Sequence, residues 1–432
     1  MIESTSKTAR QESTDARTYT LARGRGVTIE LDDGTTLLDA ASGTFNVPLG
    51  YNHPRVVSAI RRQLDRGLLH LTSEYTRERA TQLLKPLLPY APEGITAAWM
   101  RDITGSTANE CAVRIAQKST GRHEVISLFL SHHGQTLFTT ALSGNAFRRA
   151  EFPAGPPTGV KVPAPYCHRC FYGQSFPGCG LMCVDRLDDF IEYASSGSVA
   201  AVIVEPVMGN GGNIVPPPGY FERLRQLCDR HGILIIADEV QTGMGRLGEV
   251  FGSTAVGLRP DIITLAKGLG GIGVPVAAVL MREELDVLES YEHSFTSGAN
   301  PLALAAAEAT VAVITDDEFL SEVRRKGGLL GQELQRLAKS SDLVSDVRGL
   351  GMMWGLEFSG ADGSPAPKVA RQVIDVARSH EDLILRPSRY GFGNVVKVRP
   401  ALTVEDHEIA DIAQRLERVL VRVEHAEGKD HR

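Results

Sequence analysis

Two candidate catalytic residues follow apolar, strand-like segments. Asp238 comes directly after residues 234–237, and Lys267 follows residues 261–265 after a single alanine. Ligands of open α/β sheets bind at the carboxyl edge of the strands, where both side chains would lie. An amine packed among apolar residues and glycines has a lowered pKa and is a competent nucleophile. Taken alone, Asp238 and Glu239 could instead cap the next turn or bind a metal, and Lys267 could extend into solvent.

Two further segments could bind a cofactor. Residues 104–109, Thr-Gly-Ser-Thr-Ala-Asn, precede a run with helical spacing of apolar residues. Small residues and free backbone amides at a helix start suit a phosphate, although Ser and Thr are also ordinary N-cap residues. His132 and His133 precede Gly134. A planar ring could stack on an imidazole there, although histidines in such a setting are more often structural.

Residues 268–273 match the Gly-x-Gly-x-x-Gly pattern of dinucleotide-binding folds, and they follow a predicted strand. Such a fold needs a helix immediately afterwards, whereas residues 274–280 predict another strand. We therefore reject dinucleotide binding at this position.

The composition narrows the class of protein. A chain of 432 residues with 42% hydrophobic and 23% charged residues is typical of a globular protein with a large core. The net charge of -6 and the lack of a basic stretch argue against a nucleic-acid partner. The first residues are polar, and the longest apolar stretches have the length of a strand. We expect no secretory signal, no membrane partner and a cytoplasmic location.

Four of the six cysteines cluster at positions 167, 170, 179 and 183. A Cys-x2-Cys followed by a second pair resembles a structural zinc site. The second pair has x3 spacing, however, and only eight residues separate the pairs. We favour a reduced surface loop and assign no metal site, with zinc at these cysteines as the alternative.

The order of predicted elements indicates an α/β protein with two domains. We expect a flexible tail at 1–17, and a hairpin at 26–39 within an N-terminal part of a small domain at 18–50. Strands and helices alternate over 51–315, which predicts a large domain with parallel strands. Residues 316–432 would complete the small α+β domain. Six prolines between 151 and 180 predict a long loop.

The chain resembles the class III (omega-) aminotransferases, fold-type-I enzymes that depend on pyridoxal 5'-phosphate (PLP). The similarity runs from about residue 20 to 425. It rests on Glu-Pro-Val-Met-Gly-Asn-Gly-Gly at 205–212, Pro-Pro-Pro-Gly-Tyr-Phe at 216–221, the run at 228–246, Lys-Gly-Leu-Gly at 267–270 and His-Ser-Phe-Thr-Ser-Gly-Ala-Asn-Pro at 293–301. The resemblance implies a large domain with a mostly parallel seven-stranded sheet and a small α+β domain formed by both chain ends. It also implies a homodimer with shared active sites.

The resemblance implies roles for individual residues. Lys267 would carry PLP covalently and later move a proton, while Asp238 would keep the ring nitrogen protonated. The remaining implied contacts are Gln241 near the 3-oxygen, Gly105 and Ser106 at the phosphate, Thr296 at the phosphate of the partner subunit's site, His132 stacked on the ring, and Phe45 in the substrate pocket. His132 stands where relatives more often have Tyr or Phe, and His133 matches the family's own histidine.

Two departures from the family concern the substrate. Many members bind the substrate α-carboxylate with an arginine at the position of Lys397, whereas the arginine of this chain lies two residues later, at Arg399. Lysine lacks the bidentate fork of arginine, which puts carboxylate binding by this route in doubt. Positions 397 and 399 share one face of a strand, so either cation could reach the pocket, or both could face solvent. Asn210 replaces the acid of the ornithine and 4-aminobutyrate enzymes and argues against those two activities.

The predicted function is amino transfer by a ping-pong mechanism. The donor would be an amine or an amino acid, and the acceptor a ketone, an aldehyde or a 2-oxo acid. A modified peptide in natural-product biosynthesis is a further substrate hypothesis. The same fold also hosts amino-acid epimerases, racemases, decarboxylases and lyases, which form the alternative. A binding protein without catalysis is disfavoured because both Lys267 and Asp238 are present.

Overall fold

A seven-stranded sheet forms the centre of the computed structural model, which describes residues 19–144, 159–388 and 391–430. Its strands are β4 (Ile95–Asp102), β5 (Glu124–Leu128), β6 (Lys161–Val162), β7 (Val199–Val204), β8 (Leu234–Asp238), β9 (Ile262–Leu265) and β10 (Ala277–Arg282), lying in the order β4-β10-β9-β8-β7-β5-β6. All pairs are parallel except those that β10 makes with β4 and β9. The predicted α/β fold with a mostly parallel sheet is therefore confirmed.

The apolar runs of the sequence become strands because helices cover both faces of the sheet. All six side chains of β7 are buried, as expected for a central parallel strand. The helices of this part of the chain are Pro54–Asp65, Ser73–Leu84, Gly105–Thr120, Leu137–Leu142, Met182–Asp185, Leu187–Tyr193, Tyr220–His231, Gly252–Val256 and Pro301–Ile314. Residues Lys267–Gly270 form a short 3-10 helix that leads to β10, so the glycine pattern there opens no long helix.

Segments from both chain ends combine in two smaller sheets. The first contains β1 (Leu21–Arg25), β2 (Thr28–Leu31), β3 (Thr36–Asp39) and β13 (Leu383–Ile384). The second contains β11 (Val344–Leu350), β12 (Met353–Phe358), β14 (Arg386–Pro387) and β15 (Val395–Val398). The predicted N-terminal hairpin is confirmed, and β13 pairs in parallel with β3. The C-terminal part of the chain thus completes the N-terminal sheet.

Three longer helices accompany these sheets. They are Asp317–Lys339, Pro367–Glu381 and Asp406–Asp430. The last helix ends at Asp430, later than the expected end near residue 423. The predicted tail at 1–17 and part of the proline-rich loop, 145–158, lie outside the described residues. Among the described helices, none combines the length and the apolar character that a membrane span requires.

A buried carboxylate attaches the proline-rich loop to the second small sheet. Glu357 of β12 accepts hydrogen bonds from the Tyr166 hydroxyl, from Arg169 Nε at 2.5 Å and from Arg348 Nη1 at 2.6 Å. Burial would raise the pKa of Glu357, but the charge of Arg348 and these hydrogen bonds hold it at about 2. Charged and polar side chains therefore hold this proline-rich loop against the second small sheet.

Two adjacent glycines in the helix Asp317–Lys339 have opposite surroundings. A Cβ atom on buried Gly327 would lie 2.6 Å from the backbone oxygen of Gly351, whereas a Cβ on exposed Gly328 would have no heavy atom within 4 Å. Gly327 is therefore required by the close approach of the chain at Gly351, and Gly328 is not.

We expect opposite effects on stability from alanine at these two positions. Gly327→Ala should destabilise the fold by about 1–3 kcal/mol, because the new methyl group meets backbone. Gly328→Ala should stabilise it by about 0.5–1 kcal/mol, because alanine loses less backbone entropy in a helix. Thermal unfolding of the two variants beside the parent protein measures the difference. Shifts of the same sign and size would contradict the packing described here.

Candidate active site

A cavity of about 290 Å³ opens at the carboxyl edge of the central sheet. It lies where β8 and β9 end and the helix Gly105–Thr120 begins. Six residues predicted from the sequence line it together: Gly105, Ser106, His132, Asp238, Gln241 and Lys267. This position is the one at which open α/β sheets bind their ligands.

The Asp238 carboxylate is held by hydrogen bonds from two other elements. Its Oδ2 accepts a bond from Asn109 Nδ2 at 2.8 Å and lies 2.8 Å from His133 Nδ1. Its Oδ1 accepts the Val240 backbone N–H at 3.1 Å. Burial would raise the pKa of Asp238, but His133, Asn109 and the charge of Lys267 hold it below the ordinary value. The carboxylate is thus kept ionised in a buried place.

Asn109 has a fixed orientation, because its side chain is bonded on both sides. Its Nδ2 also donates to the His133 backbone oxygen at 2.7 Å, and its Oδ1 accepts from Thr264 Oγ1 at 2.7 Å. We call Asp238, Asn109 and His133 the carboxylate clamp. The sequence reasoning gave Asn109 no role, since it was considered only as part of the phosphate segment.

The second acid at the end of β8 serves another purpose. The Glu239 carboxylate accepts the backbone N–H groups of Gly252 at 2.5 Å and Ser253 at 2.8 Å. It therefore caps the start of the short helix Gly252–Val256. The capping explanation is confirmed for Glu239, while Asp238 points to the cavity. The two acids do not act as a pair.

Lys267 follows β9 in a strained backbone conformation, with φ at +36°. Such values are costly for a residue other than glycine and cluster at functional sites. Burial lowers the pKa of the Lys267 amine, and the balance with Asp238, Arg399 and Glu205 brings it to about 8. The side chain lines the cavity and does not extend from the sheet end into solvent. Its amine therefore loses its proton at a much lower pH than an ordinary lysine does.

The helix Gly105–Thr120 begins beside the cavity with Thr104 as its N-cap. Ser106 Oγ accepts the Gln135 backbone N–H at 3.0 Å. A Cβ atom on Gly134 would lie 2.6 Å from Ser106 Oγ, so only glycine fits there. Backbone amides, a hydroxyl and the helix dipole together form a site suited to a phosphate.

Glu205 joins two segments that border the site, and sequence reasoning gave it no role. Its Oε1 accepts the His132 backbone N–H at 2.9 Å, and its Oε2 accepts the Gly209 backbone N–H at 3.0 Å. Burial raises the pKa of Glu205 to about 7, against the lowering effect of His133. The Glu-Pro motif was noted in the sequence, but no spacing rule links it to His132.

Residues 42–45 form a turn in which every φ is positive, from +53° to +68°. Asp39 stabilises this turn by accepting the backbone N–H of Ala41 at 2.7 Å and of Gly43 at 2.8 Å. The turn carries Phe45, which is buried. Four consecutive residues in this region cost several kcal/mol, so the surroundings must impose the conformation.

Two buried arginines contact the ring of Phe45. The guanidinium of Arg399 lies 3.9 Å from the ring centroid and that of Arg246 lies 5.4 Å from it. Arg246 donates to the backbone oxygens of Met352 and Pro400 and to Ser42 Oγ. No sequence pattern indicates this role of Arg246, because its three hydrogen-bond partners lie more than 100 positions away in the chain.

The hypothesis that Lys397 and Arg399 face solvent is wrong. Each residue is only 2% exposed. Lys397 lies in β15 between β12 and β14, which buries it within the small sheet. Arg399 follows the strand and has two buried nitrogen atoms, Nε and Nη1, without a hydrogen-bond partner. Neither residue lines the cavity, and neither does Phe45.

Thr296 and the clustered cysteines lie elsewhere. Thr296 is exposed and does not border the cavity of its own chain. Cys167, Cys170, Cys179 and Cys183 are unpaired thiols around a second, small cavity. Within the described residues, no three of these sulfur atoms lie within 4.8 Å of one another. This spacing does not favour the zinc alternative.

The comparisons with known proteins agree with this geometry. The family model "Aminotransferase class-III" matches residues 9–420. The chain belongs to that family. It is 33% identical to an acetylornithine aminotransferase of Corynebacterium efficiens over 93% of this chain and 92% of that protein. It is also 33% identical to a leucine/methionine racemase of Thermococcus litoralis, covering 87% and 84% of the two chains.

Solved structures give the same result for this class III aminotransferase. An amine transaminase from an uncultivated Pseudomonas species, in its PLP-bound form, superposes with a TM-score of 0.87 at 29% identity, over 98% of both chains. An omega transaminase from Pseudomonas jessenii in complex with PMP has a TM-score of 0.87 at 27% identity, over 95% and 94%. The fold is that of fold-type-I PLP enzymes, and the protein is a PLP-dependent aminotransferase. It transfers amino groups between amines or amino acids and carbonyl compounds.

The residues of the cavity fit PLP. A phosphate suits the amides and hydroxyl at the start of the helix Gly105–Thr120, and a protonated ring nitrogen suits the ionised Asp238. The amine of Lys267, with its lowered pKa, suits the cofactor's aldehyde carbon. The donor set therefore matches the three functional ends of the cofactor.

Proposed function

We propose that this aminotransferase uses an amino acid as its donor and binds the donor's carboxylate through Arg399. Lys267 would carry the cofactor and move the proton, and Asp238 would hold the cofactor's ring nitrogen protonated. The observation that carries the donor proposal is a buried guanidinium with two nitrogen atoms lacking a partner. The enzyme would work as a homodimer in the cytoplasm.

A buried cation without a partner is energetically costly unless an anion binds it. Burial, together with the nearby charges of Arg246 and Arg386, lowers the pKa of Arg399 to about 9, against the raising effect of Asp39. A carboxylate beside the guanidinium would neutralise its charge and accept a hydrogen bond from a nitrogen atom that now has no partner. An amino acid supplies that group, and a simple amine does not.

The charge of Arg399 acts on the reactive amine, because it lowers the pKa of Lys267. Phe45 covers the guanidinium and is itself only 3% exposed. The proposal therefore requires Phe45 to move when a donor binds. The strained turn at 42–45 is a short element that can change φ values for such a movement.

The other proposed roles follow the geometry of the cavity. Gly105 and Ser106 would bind the cofactor phosphate, His132 would stack on its ring, and Gln241 would lie near its 3-oxygen. When bound, PLP supplies an electron sink for the negative charge that develops on the substrate carbon. Lys267 would then accept a proton from that carbon and return one, as its pKa of about 8 allows.

Thr296 would reach the phosphate of the partner subunit's site. Its exposed position outside the cavity of its own chain supports that arrangement.

Two relatives are a leucine/methionine racemase and an alanine/serine racemase, so racemisation is the alternative to test. With a donor and no acceptor, an aminotransferase releases about one 2-oxo acid per active site and then stops. A racemase instead inverts the donor continuously without releasing a 2-oxo acid.

Lys267→Ala should abolish both the covalent attachment of PLP and the release of product from any donor. Borohydride reduction followed by peptide mapping should find the cofactor on Lys267 in the parent protein and on no lysine in the variant. A reduced cofactor attached to another lysine in the parent would overturn the assignment.

Substitutions of the two neighbouring acids should have different effects. Asp238→Asn should retain PLP and lower turnover by about two to four orders of magnitude, because an amide cannot hold the ring nitrogen protonated. Glu239→Gln serves as the matched control. It should cost about 0.5–2 kcal/mol of stability through the weakened helix cap and leave the rate of proton transfer nearly unchanged. Near-normal turnover in Asp238→Asn would show that another acid fills the role.

Arg399→Gln should raise KM for amino-acid donors by about tenfold to a hundredfold, as expected for a lost charge-assisted hydrogen bond. A matched amine donor has the same structure as the amino acid but lacks the carboxylate. Its KM should stay nearly constant. Lys397→Gln is the comparison variant, since Lys397 is equally buried but belongs to the small sheet. Equal effects of Arg399→Gln on both donors, or an effect confined to Lys397→Gln, would place the carboxylate elsewhere.

A further inference from the structure

A second group of chemically active side chains lies outside the cavity. Within the described ranges, one set of three His, Cys, Asp or Glu residues has donor atoms that all lie within 4.8 Å of one another. The set consists of Asp102 at the end of β4, Cys111 in the helix Gly105–Thr120, and His293 in the segment before the helix Pro301–Ile314. None of the three lines the active-site cavity.

The three residues are almost completely buried, with exposures of 0% for Asp102 and Cys111 and 4% for His293. His293 Nε2 lies 2.9 Å from Asp102 Oδ1. The other carboxylate oxygen, Oδ2 of Asp102, is buried and has no hydrogen-bond partner. Buried carboxylate oxygens are normally bonded, so an unsatisfied one beside a thiol and an imidazole calls for a ligand.

We propose that Asp102, Cys111 and His293 form a buried binding site for a divalent transition metal ion of the zinc class. Zinc binds carboxylate oxygen, imidazole nitrogen and thiolate sulfur, usually in a tetrahedron. Three protein ligands leave a fourth position for a water molecule. The set also excludes calcium and magnesium as preferred ions, because those cations take oxygen ligands.

The charges balance when the metal binds. The Cys111 thiol loses its proton, and so does any histidinium form of His293, because ligands bind in their deprotonated states. A carboxylate and a thiolate then contribute two negative charges that offset the two positive charges of the ion. Binding of the ion and release of the Cys111 proton are therefore coupled.

The site would fasten a segment that leads to the cofactor. Two further hydrogen bonds join residues 286–300 to β4 and to the helix that follows it. Arg101 Nη1 donates to the Ser290 backbone oxygen at 3.3 Å, and Arg114 Nη1 donates to the Glu292 backbone oxygen at 2.6 Å. His293 is three residues before Thr296, and Asp102 is three residues before Gly105. The metal would therefore act as a structural link beside the phosphate-binding end of the site and take no part in the chemistry.

The test measures metal content in the holoenzyme. The protein is produced in zinc-supplemented medium without an affinity tag or chelator and examined by inductively coupled plasma mass spectrometry. We expect about one zinc ion per chain in the parent protein. Cys111→Ala and Asp102→Asn should each lower the content by about tenfold or more. Cys228→Ala, at another fully buried free thiol, should retain it.

Two further measurements test which cysteines bind the metal. A Cys167→Ala/Cys170→Ala variant should also retain the metal, which separates this site from the cysteine-rich loop. Exchange with Co²⁺ should produce a thiolate-to-cobalt absorption band that disappears in Cys111→Ala and persists in Cys228→Ala, with circular dichroism showing that both variants are folded. Parent protein without metal after supplementation, or metal lost only in the cysteine-loop variant, would overturn the proposal.

Discussion

The hydrogen-bonded carboxylate of Asp238 is the interaction on which the site depends. Burial disfavours a charged carboxylate at this depth, and the contacts with Asn109 and His133, together with the charge of Lys267, hold its pKa below the ordinary value. Asn109 lies in the helix that follows β4, His133 lies in the loop that follows β5, and Asp238 ends β8. The sheet therefore has to bring these three strands into their final order before the clamp can form. The Glu205 carboxylate accepts the His132 backbone N–H and so fixes the segment that carries His132 and His133. The setting of Asp238, the acid proposed to hold the cofactor's ring nitrogen, is thus the product of tertiary structure.

A second constraint is the charge buried at the boundary with the small sheets. Arg246 and Arg399 both contact Phe45, and Arg246 is satisfied by three oxygen atoms while Arg399 is not. This difference indicates that Arg246 is a structural cation and that Arg399 is a cation able to bind an anion. Segments from both chain ends build the region, because Arg399 donates its backbone N–H to the Ala40 oxygen. The N-terminal turn and the proposed carboxylate site are therefore in direct contact.

Several parts of this arrangement could be predicted from the sequence. Local sequence patterns predict the apolar strands, the acid and the lysine at their ends, and the small residues around the start of the helix Gly105–Thr120. The clamp partner Asn109 could not be found, because its bonds to Asp238 and Thr264 join residues more than 100 positions apart. The burial of Lys397 and Arg399 was equally out of reach. A strand pattern shows that two residues share a face and does not show what covers that face.

The central claim is that the clamp keeps Asp238 ionised and so keeps the cofactor's ring nitrogen protonated. The direct measurement is nuclear magnetic resonance of the holoenzyme containing PLP labelled with ¹⁵N in the ring, recorded across neutral pH. The account predicts a protonated ring nitrogen throughout that range in the parent protein, and a loss of the proton when Asn109 and His133 are both replaced by alanine. An unprotonated nitrogen in the parent protein, or one that stays protonated after both replacements, would contradict it.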